Sequence, residues 1–346
     1  MNTMKNWLRA VRRIRLAGTS ALVGLTLAST CLVNTAYAQG SVKPRQLGTL
    51  TLGWVKSTAN LMAVIGPQIS EKYGLKIESK TFNTAQDIST AMVSGEIDVG
   101  LLTPIHLIRA IDTKLEFVQL CGNARGNTGI VVAKKLNLAE NDWSGLKKLL
   151  QQRRLRIVAS RGSVNEMLAI AEFAKNGINV DKDLELINIA NFAQHPQALR
   201  SGEFDMIVTL EPFITQPIAD GIGTLFAQPY NTPAGDLNTD YVARGAWLAK
   251  NPEMATAFVA TMVEAARMLT SDKKLELETA TKLLPLKPEV LSAALAHSRY
   301  EVRNGLKQMQ ALARIAAERQ YATRDVAADL PKYVDSRFLK AAGISE

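Results

Sequence analysis

From residue 49 onward, apolar and polar positions fall into short blocks of two kinds. Brief runs rich in Val, Ile, Leu and Thr read as strands, and longer runs with an apolar residue every three or four positions read as helices. Residues 49–55, 75–81, 97–102 and 117–121 are of the first kind. Residues 60–73 have helical spacing despite Pro67 and stop at Gly74, a natural left-handed cap. Thr84 is placed to cap a helix ending near Ser94 and Gly95. Pro104 opens the next helix at its first turn, where a missing N–H costs nothing. Strands alternating with helices imply βαβ units and a mainly parallel sheet.

The next section follows the same grammar, with strands at 156–160, 184–189 and 204–210 and helices at 163–175 and 195–200. Residues 91–100 read AMVSGEIDVG and residues 198–207 read ALRSGEFDMI, identical at five of the first eight positions. Asn60 corresponds to Asn165, Gly74 to Gly177, Ser94 to Ser201 and Pro104 to Pro212, at offsets drifting only from 103 to 108. Landmarks kept in order at so steady an offset make these two copies of one α/β unit. From 252 to 317 helical periodicity dominates instead. Ala255, Phe258, Val259, Met262, Val263 and Ala266 share one helical face, which reads as core. Residues 326–346 are expected to wrap back across the surface.

The first 38 residues stand apart. Lys5, Arg9, Arg12, Arg13 and Arg15 form a basic start, an apolar run covers 16–33, and Ala36-Tyr37-Ala38 is an A-x-A site. That three-part order is expected of a secretory signal cleaved after Ala38, with a periplasmic mature protein. A transmembrane anchor is the competing reading, disfavoured by the Gly, Ser and Thr in the run. Removing the signal takes five basic residues and no acidic one, so the formal charge falls from +9 to +4. Nucleic-acid binding loses most of its support with that change. The densest basic stretch left, 147–156, reads as the solvated end of a helix. Cys31 leaves with the signal and Cys121 remains, so no intramolecular disulfide is expected and the thiol should be buried and inert. Roughly 308 residues remain, ample for one large or two ordinary domains.

Within SGEIDVG, Gly95 and its counterpart Gly202 suit a left-handed helix end, and Glu96 and Glu203 suit an exposed turn. Asp98 and Asp205 stand at the N-terminal edge of a strand, whereas open α/β sheets bind ligands beyond the C-terminal edge. The motif is therefore structural, and functional residues should lie just past the strands. Trp54, Lys56, Ser57 and Thr58 follow the first strand, and Ser160, Arg161, Gly162 and Ser163 follow its counterpart. Thr103 and Pro104, or Glu211 and Pro212, follow each SGE-x-D strand. Hydroxyls and glycine at a helix N-terminus favour anions, and Lys56 and Arg161 add full charge. Ordinary capping by Ser and Thr explains any one loop as well. Equivalent loops in both copies point to a ligand held between them.

The strand-loop-helix at 50–60, SGEIDVG, SRGS, SGEFDMIVTLEPF and the late helix start at Asn251-Pro252-Glu253 together resemble a known family. They are similar to periplasmic solute-binding proteins of ABC importers for nitrate, taurine, alkanesulfonates and thiamine-precursor pyrimidines. The resemblance covers essentially the whole mature chain and rests on the order of the pieces. It implies a two-lobed, type II periplasmic binding protein fold of the α/β class, with a two-crossing hinge and a helical C-terminal section. Residues 39–126 plus 239–346 would form lobe 1, and residues 127–238 lobe 2. Glycines near 122–126 and 235–245 would suit the hinge. The family's ligand loops would fall on Trp54, Lys56, Ser57, Thr58, Thr103, Pro104, Asn127, Thr128, Ser160, Arg161, Gly162, Ser163 and Glu211. It also implies a membrane permease and an ATPase as partners, a monomeric binding subunit, and no cofactor or metal.

Hydroxyls, helix N-termini, Lys56 and Arg161 favour a small sulfonate-type anion, and Trp54 adds an apolar wall. Glu211 would instead suit an amine or an N–H donor, or pair with Arg244 or Arg161 and never touch ligand. A pyrimidine-synthase-like enzyme of the same fold is the rival class. His106 and His195 lack a partner at suggestive spacing, and the chain shows no zinc pattern, nucleophile elbow or phosphate loop. Binding without catalysis is the expectation, with a periplasmic sensor or signalling domain of the same fold as a third class and a binding protein that feeds a separate sensor as its variant.

Overall fold

Leu50, Leu52 and Trp54 alternate along β1 (Gly48–Val55) and all enter one core, the period-two pattern of a half-buried strand. A computed structural model describes residues 45–345, and the expected signal segment lies outside the described residues. The helix expected over 60–73 is broken into a 3-10 turn (Thr58–Asn60), α1 (Met62–Ile69) and a second 3-10 turn (Ser70–Tyr73). Pro67 lies inside α1, where its missing N–H and its ring weaken the ladder, and the last turn tightens up to Gly74. β2 (Leu75–Phe82), α2 (Ala85–Ser94), β3 (Val99–Leu102), α3 (Pro104–Asp112) and β4 (Phe117–Gly126) complete the first copy. Thr84 and Asp87 form a full capping box on α2, and Pro104 stands in the first turn of α3.

The second copy runs through β5 (Thr128–Ala133), α4 (Trp143–Gln152), β6 (Leu155–Ala159), α5 (Val164–Lys175) and α6 (Val180–Asp183). It continues with β7 (Leu184–Asn188), α7 (His195–Arg200), β8 (Met206–Leu210), α8 (Thr215–Ala219) and β9 (Gly223–Ala227). The chain returns through β10 (Leu237–Arg244) into α9 (Gly245–Lys250), α10 (Pro252–Ser271), α11 (Lys273–Leu283) and α12 (Pro288–Leu295). A short strand, β11 (Ser298–Tyr300), precedes α13 (Leu306–Glu318) and α14 (Arg337–Ala341). Among the described residues no helix is long and apolar enough to cross a membrane.

The strands form a six-stranded sheet, β11-β4-β10-β3-β1-β2, and a five-stranded one, β7-β6-β8-β5-β9. In each, a parallel trio (β2-β1-β3 or β7-β6-β8) is continued by an antiparallel fourth strand, β10 or β5. Leu52 pairs with Val99 as Ile157 pairs with Met206, so the two copies agree in register as well as in order. The SGE-x-D motif does the same work twice. Gly95 and Gly202 take φ of 82° and 77°, in the left-handed region. Asp98 accepts the Thr51 N–H at 3.0 Å and pairs with Arg244, while Asp205 accepts the Arg156 N–H at 2.9 Å and pairs with Arg153. Burial opposes ionisation of Asp205, but Arg153 and the Arg156 amide outweigh it and hold the carboxyl below its ordinary range. Arg153 and Arg156 belong to the basic stretch expected to be merely solvated. Several of its charges instead close the corner between β6 and β8.

The Ala255, Phe258, Val259 and Met262 face of α10 packs on Leu50, Leu52 and Trp54, as its spacing predicts. Cys121 is fully buried in the same core. Residues 326–345 do more than cross the surface. Val326, Leu330 and Leu339 are fully buried, and Val334 bridges to Gln119 in β4. β11 escapes a pattern reading because three residues, Ser298, Arg299 and Tyr300, are too few to show alternation.

The two sheets are joined where β4 passes into β5 through Gly126 and Asn127, with φ of 85° and 66°. Here lies a buried ion pair. Arg125 Nη1 meets Asp240 Oδ1 at 3.2 Å, both side chains 2% exposed, and Arg125 also donates to the carbonyls of Ala124 and Arg303. Burial lifts the Asp240 carboxyl to about 6, against the pull of Arg125. Removing one partner leaves the other charge buried alone. Arg125→Met should therefore cost about 3–5 kcal/mol in urea unfolding, and the double variant Arg125→Met/Asp240→Leu should recover most of that loss.

Candidate functional site

The loops past the C-terminal strand ends meet at the Gly126–Asn127 crossing. Thr58, fully buried after β1, places its hydroxyl 3.5 Å from Asn127 Oδ1. The Asn127 carbonyl accepts the Glu211 N–H at 3.3 Å, and the Asn127 N–H is taken by the His297 carbonyl at 2.8 Å. Thr128 is held on two sides. Its backbone exchanges hydrogen bonds with the Tyr230 hydroxyl at 2.8 and 2.7 Å, and its own hydroxyl accepts from Asn165 at 2.7 Å. Asn60, the first-copy counterpart of Asn165, is buried too and accepts from Asn123 at 3.1 Å. The matching asparagines thus brace the two copies beside the crossing.

Thr103 stands at the N-terminal end of α3 with extended backbone, and its hydroxyl bonds the His106 Nδ1 at 2.8 Å rather than capping a helix amide. Burial, then the charge of Arg109, push His106 down to about 4, so it is neutral at physiological pH. Pro104 is buried beneath this turn. From α3, Arg109 reaches the second copy's loop at Gly162.

The N–H donors of residues 161–163 are already taken within the protein. The Arg161 N–H goes to Asn188 Oδ1 at 3.0 Å, that of Gly162 to Glu166 Oε2 at 2.6 Å, and that of Ser163 to the Ser160 carbonyl at 3.2 Å. Ser163 caps α5 by accepting the Glu166 N–H at 3.2 Å. Glu166 is 1% exposed and takes a second bond from the Tyr321 hydroxyl at 2.9 Å. Its carboxyl is raised by burial against those bonds. A buried carboxylate therefore sits where the loop's amides were expected to meet an anion. Ser163-x-x-Glu166 is a readable capping-box signal for it.

Glu211 does not pair with Arg244 or Arg161. Fully buried, it accepts from the Thr215 N–H at 3.1 Å and the Thr215 hydroxyl at 2.9 Å, and bonds the ring of His297. Arg244 is engaged by Asp98. The remaining residues stand outside this network. Trp54 lies in the core with its indole N–H unpartnered, Ser57 is half-buried and Lys56 is exposed, while the exposed Arg161 lies against the Tyr321 hydroxyl. Among the described residues no three His, Cys, Asp or Glu side chains are grouped to hold a metal ion.

The Glu211 bond raises His297 above its ordinary range, with burial opposing. A raised folded-state value means that the pair stabilises fully below pH 6.5 and that the contribution is lost as pH rises through the raised value. His297→Gln should cost about 1–3 kcal/mol at acidic pH and much less at about pH 9, read as the difference in denaturant midpoint from wild type.

The sequence pattern of the NMT1-like family matches residues 43–284. The chain is 23% identical over 283 residues to YtlA of Bacillus subtilis, named provisionally as a binding protein, covering 79% of this chain and 80% of that one. The alkanesulfonate-binding protein SsuA of Xanthomonas axonopodis pv. citri, solved bound to MOPS, is similar at a TM-score of 0.69 and 19% identity, over 84% of this chain and 99% of that one. The periplasmic nitrate-binding protein NrtA of Synechocystis PCC 6803 is similar at a TM-score of 0.74 and 16% identity, over 87% and 89%. At these identities the structural likeness establishes the two-lobed α/β binding-protein fold. With most of its described length matched by the family pattern, the chain belongs to the NMT1-like family.

Proposed function

We propose that this chain is the periplasmic solute-binding subunit of an ABC-type importer, closing two lobes on a small anion of the sulfonate, taurine or nitrate type. Lobe 1 is residues 39–126 plus 239–346 and lobe 2 is residues 127–238, with a signal peptide ahead of them. One observation carries the reading: loops past β1 and β8, on opposite sheets, converge on the crossing residue Asn127. The family and the sulfonate- and nitrate-binding proteins of like fold support it. The subunit acts as a monomer that hands its solute to a permease driven by an ATPase, and it performs no catalysis. Glu211 is no obstacle to an anion, since Thr215 and His297 already meet its charge. Lys56 and Arg161, exposed at the loops, supply the positive charge.

A heterocycle of the thiamine-precursor pyrimidine type is the second reading. In its favour, Glu166, Asn188 and Ser160 occupy the 161–163 amides that an anion would use. A thermal-shift series with ethanesulfonate, taurine, nitrate and an aminopyrimidine separates the two. One class alone should stabilise, by about 2.7 kcal/mol at a hundred times its Kd. Silence from every compound would count heavily against solute binding. Arg161→Ala should weaken an anion at least about tenfold while leaving a neutral heterocycle nearly unchanged. Equal effects on both would remove the charge-reading role.

A further inference from the structure

The segment that follows α13 is gripped from both sides. Arg109, on α3, donates from Nε to the Tyr321 carbonyl at 3.1 Å, and Asp112 accepts the Thr323 N–H and hydroxyl at 2.7 Å each. These bonds tie the segment to the first copy. On the other side, the Tyr321 hydroxyl donates to Glu166 Oε1 at 2.9 Å, and Arg319 Nη2 donates to Asp181 Oδ1 at 3.0 Å. Those bonds tie it to the second. Beneath the segment, Met309, Leu312 and Ala316 of α13 share one core with α3 and with Val164, Met167 and Leu168 of α5.

Gly162 closes the circle. Its φ of +73° is in the left-handed region, which favours glycine, and a Cβ there would lie 2.7 Å from an Arg109 guanidinium nitrogen, so any larger residue would displace that arginine. Its N–H is held by Glu166. Arg109, Gly162, Glu166 and Tyr321 thus form a closed ring of contacts drawn from three distant parts of the chain.

We propose that residues 319–323 are a clasp that fixes the 160–163 loop against α3, with Tyr321, Arg319 and Arg109 as positioning residues for the solute site; this rests on the solute-binding reading above. Tyr321 is the dominant arm. Glu166 is buried, so losing the hydroxyl leaves its carboxylate short of a donor where water does not reach. The Arg319–Asp181 pair is the weaker arm, because Asp181 is 66% exposed and its attraction is screened.

The test is Tyr321→Phe in the full chain, with Arg319→Gln as a milder variant, read by amide hydrogen exchange and small-angle scattering without any solute. The clasp requires the amides of 160–166 to exchange about tenfold faster or more in Tyr321→Phe. It also requires α2 to stay unchanged, the radius of gyration to rise, and Arg319→Gln to shift both readouts less in the same direction. Unchanged loop exchange and radius would overturn the proposal. So would equal acceleration in the loop and in α2, which marks a general loss of stability. Because exchange is read without solute, it decides the clasp whether or not taurine or nitrate binds. Those two probes, titrated separately into wild type, decide the solute reading.

Discussion

Two charges buried between the crossing strands set the frame for everything else. Arg125 and Asp240 face each other across β4 and β10 with almost no access to water, so each needs the other and the nearby carbonyls to offset desolvation. The pair fixes β4 against β10 one residue before the chain turns through Gly126 and Asn127 into the second sheet. From Asn127 the constraint passes outward, to Thr58 on one side and Glu211 and His297 on the other. A shift of β4 along β10 would misplace every loop that meets at the crossing.

The duplication explains why the loops meet at all. Each copy builds a parallel trio and leaves its C-terminal strand ends toward the crossing, so symmetry of construction makes two half-sites face each other. The halves have since diverged at single positions. Leu61 is apolar core in the first copy, and its counterpart Glu166 is a buried carboxylate that caps α5 and receives Tyr321. Thr103 bonds a neutral His106, whereas at the corresponding edge Glu211 bonds His297. The frame is common, and the chemistry is written in its exceptions.

The repeat, the caps at Thr84 and Ser163, the turn at Pro104 and the structural role of SGE-x-D are legible in the sequence because each depends on neighbours a few residues away. Asp98 and Asp205 could be assigned to strand starts from spacing alone, though their arginine partners could not. What stays hidden is whatever is made by distant partners. Glu166 meets Tyr321, and Glu211 meets His297, across separations no local pattern encodes. The anion-ready picture of the SRGS loop runs into the same difficulty. Its donors look free until Asn188 and Glu166 claim them, and of these only Glu166, three residues past Ser163, announces itself in the sequence.

The ownership of β10 has a consequence for how the molecule forms. The five-stranded sheet is assembled from one continuous stretch, so all its pairings are available once β9 has been made. The six-stranded sheet must wait for β10, because Leu102 finds its partner only at Asp240 and β4 is otherwise left without a neighbour on that side. The part of the chain made first is therefore completed last. Until then the facing edges of the short β3 and the ten-residue β4 stay open, and unpaired strand edges are where a chain is most exposed to aggregation.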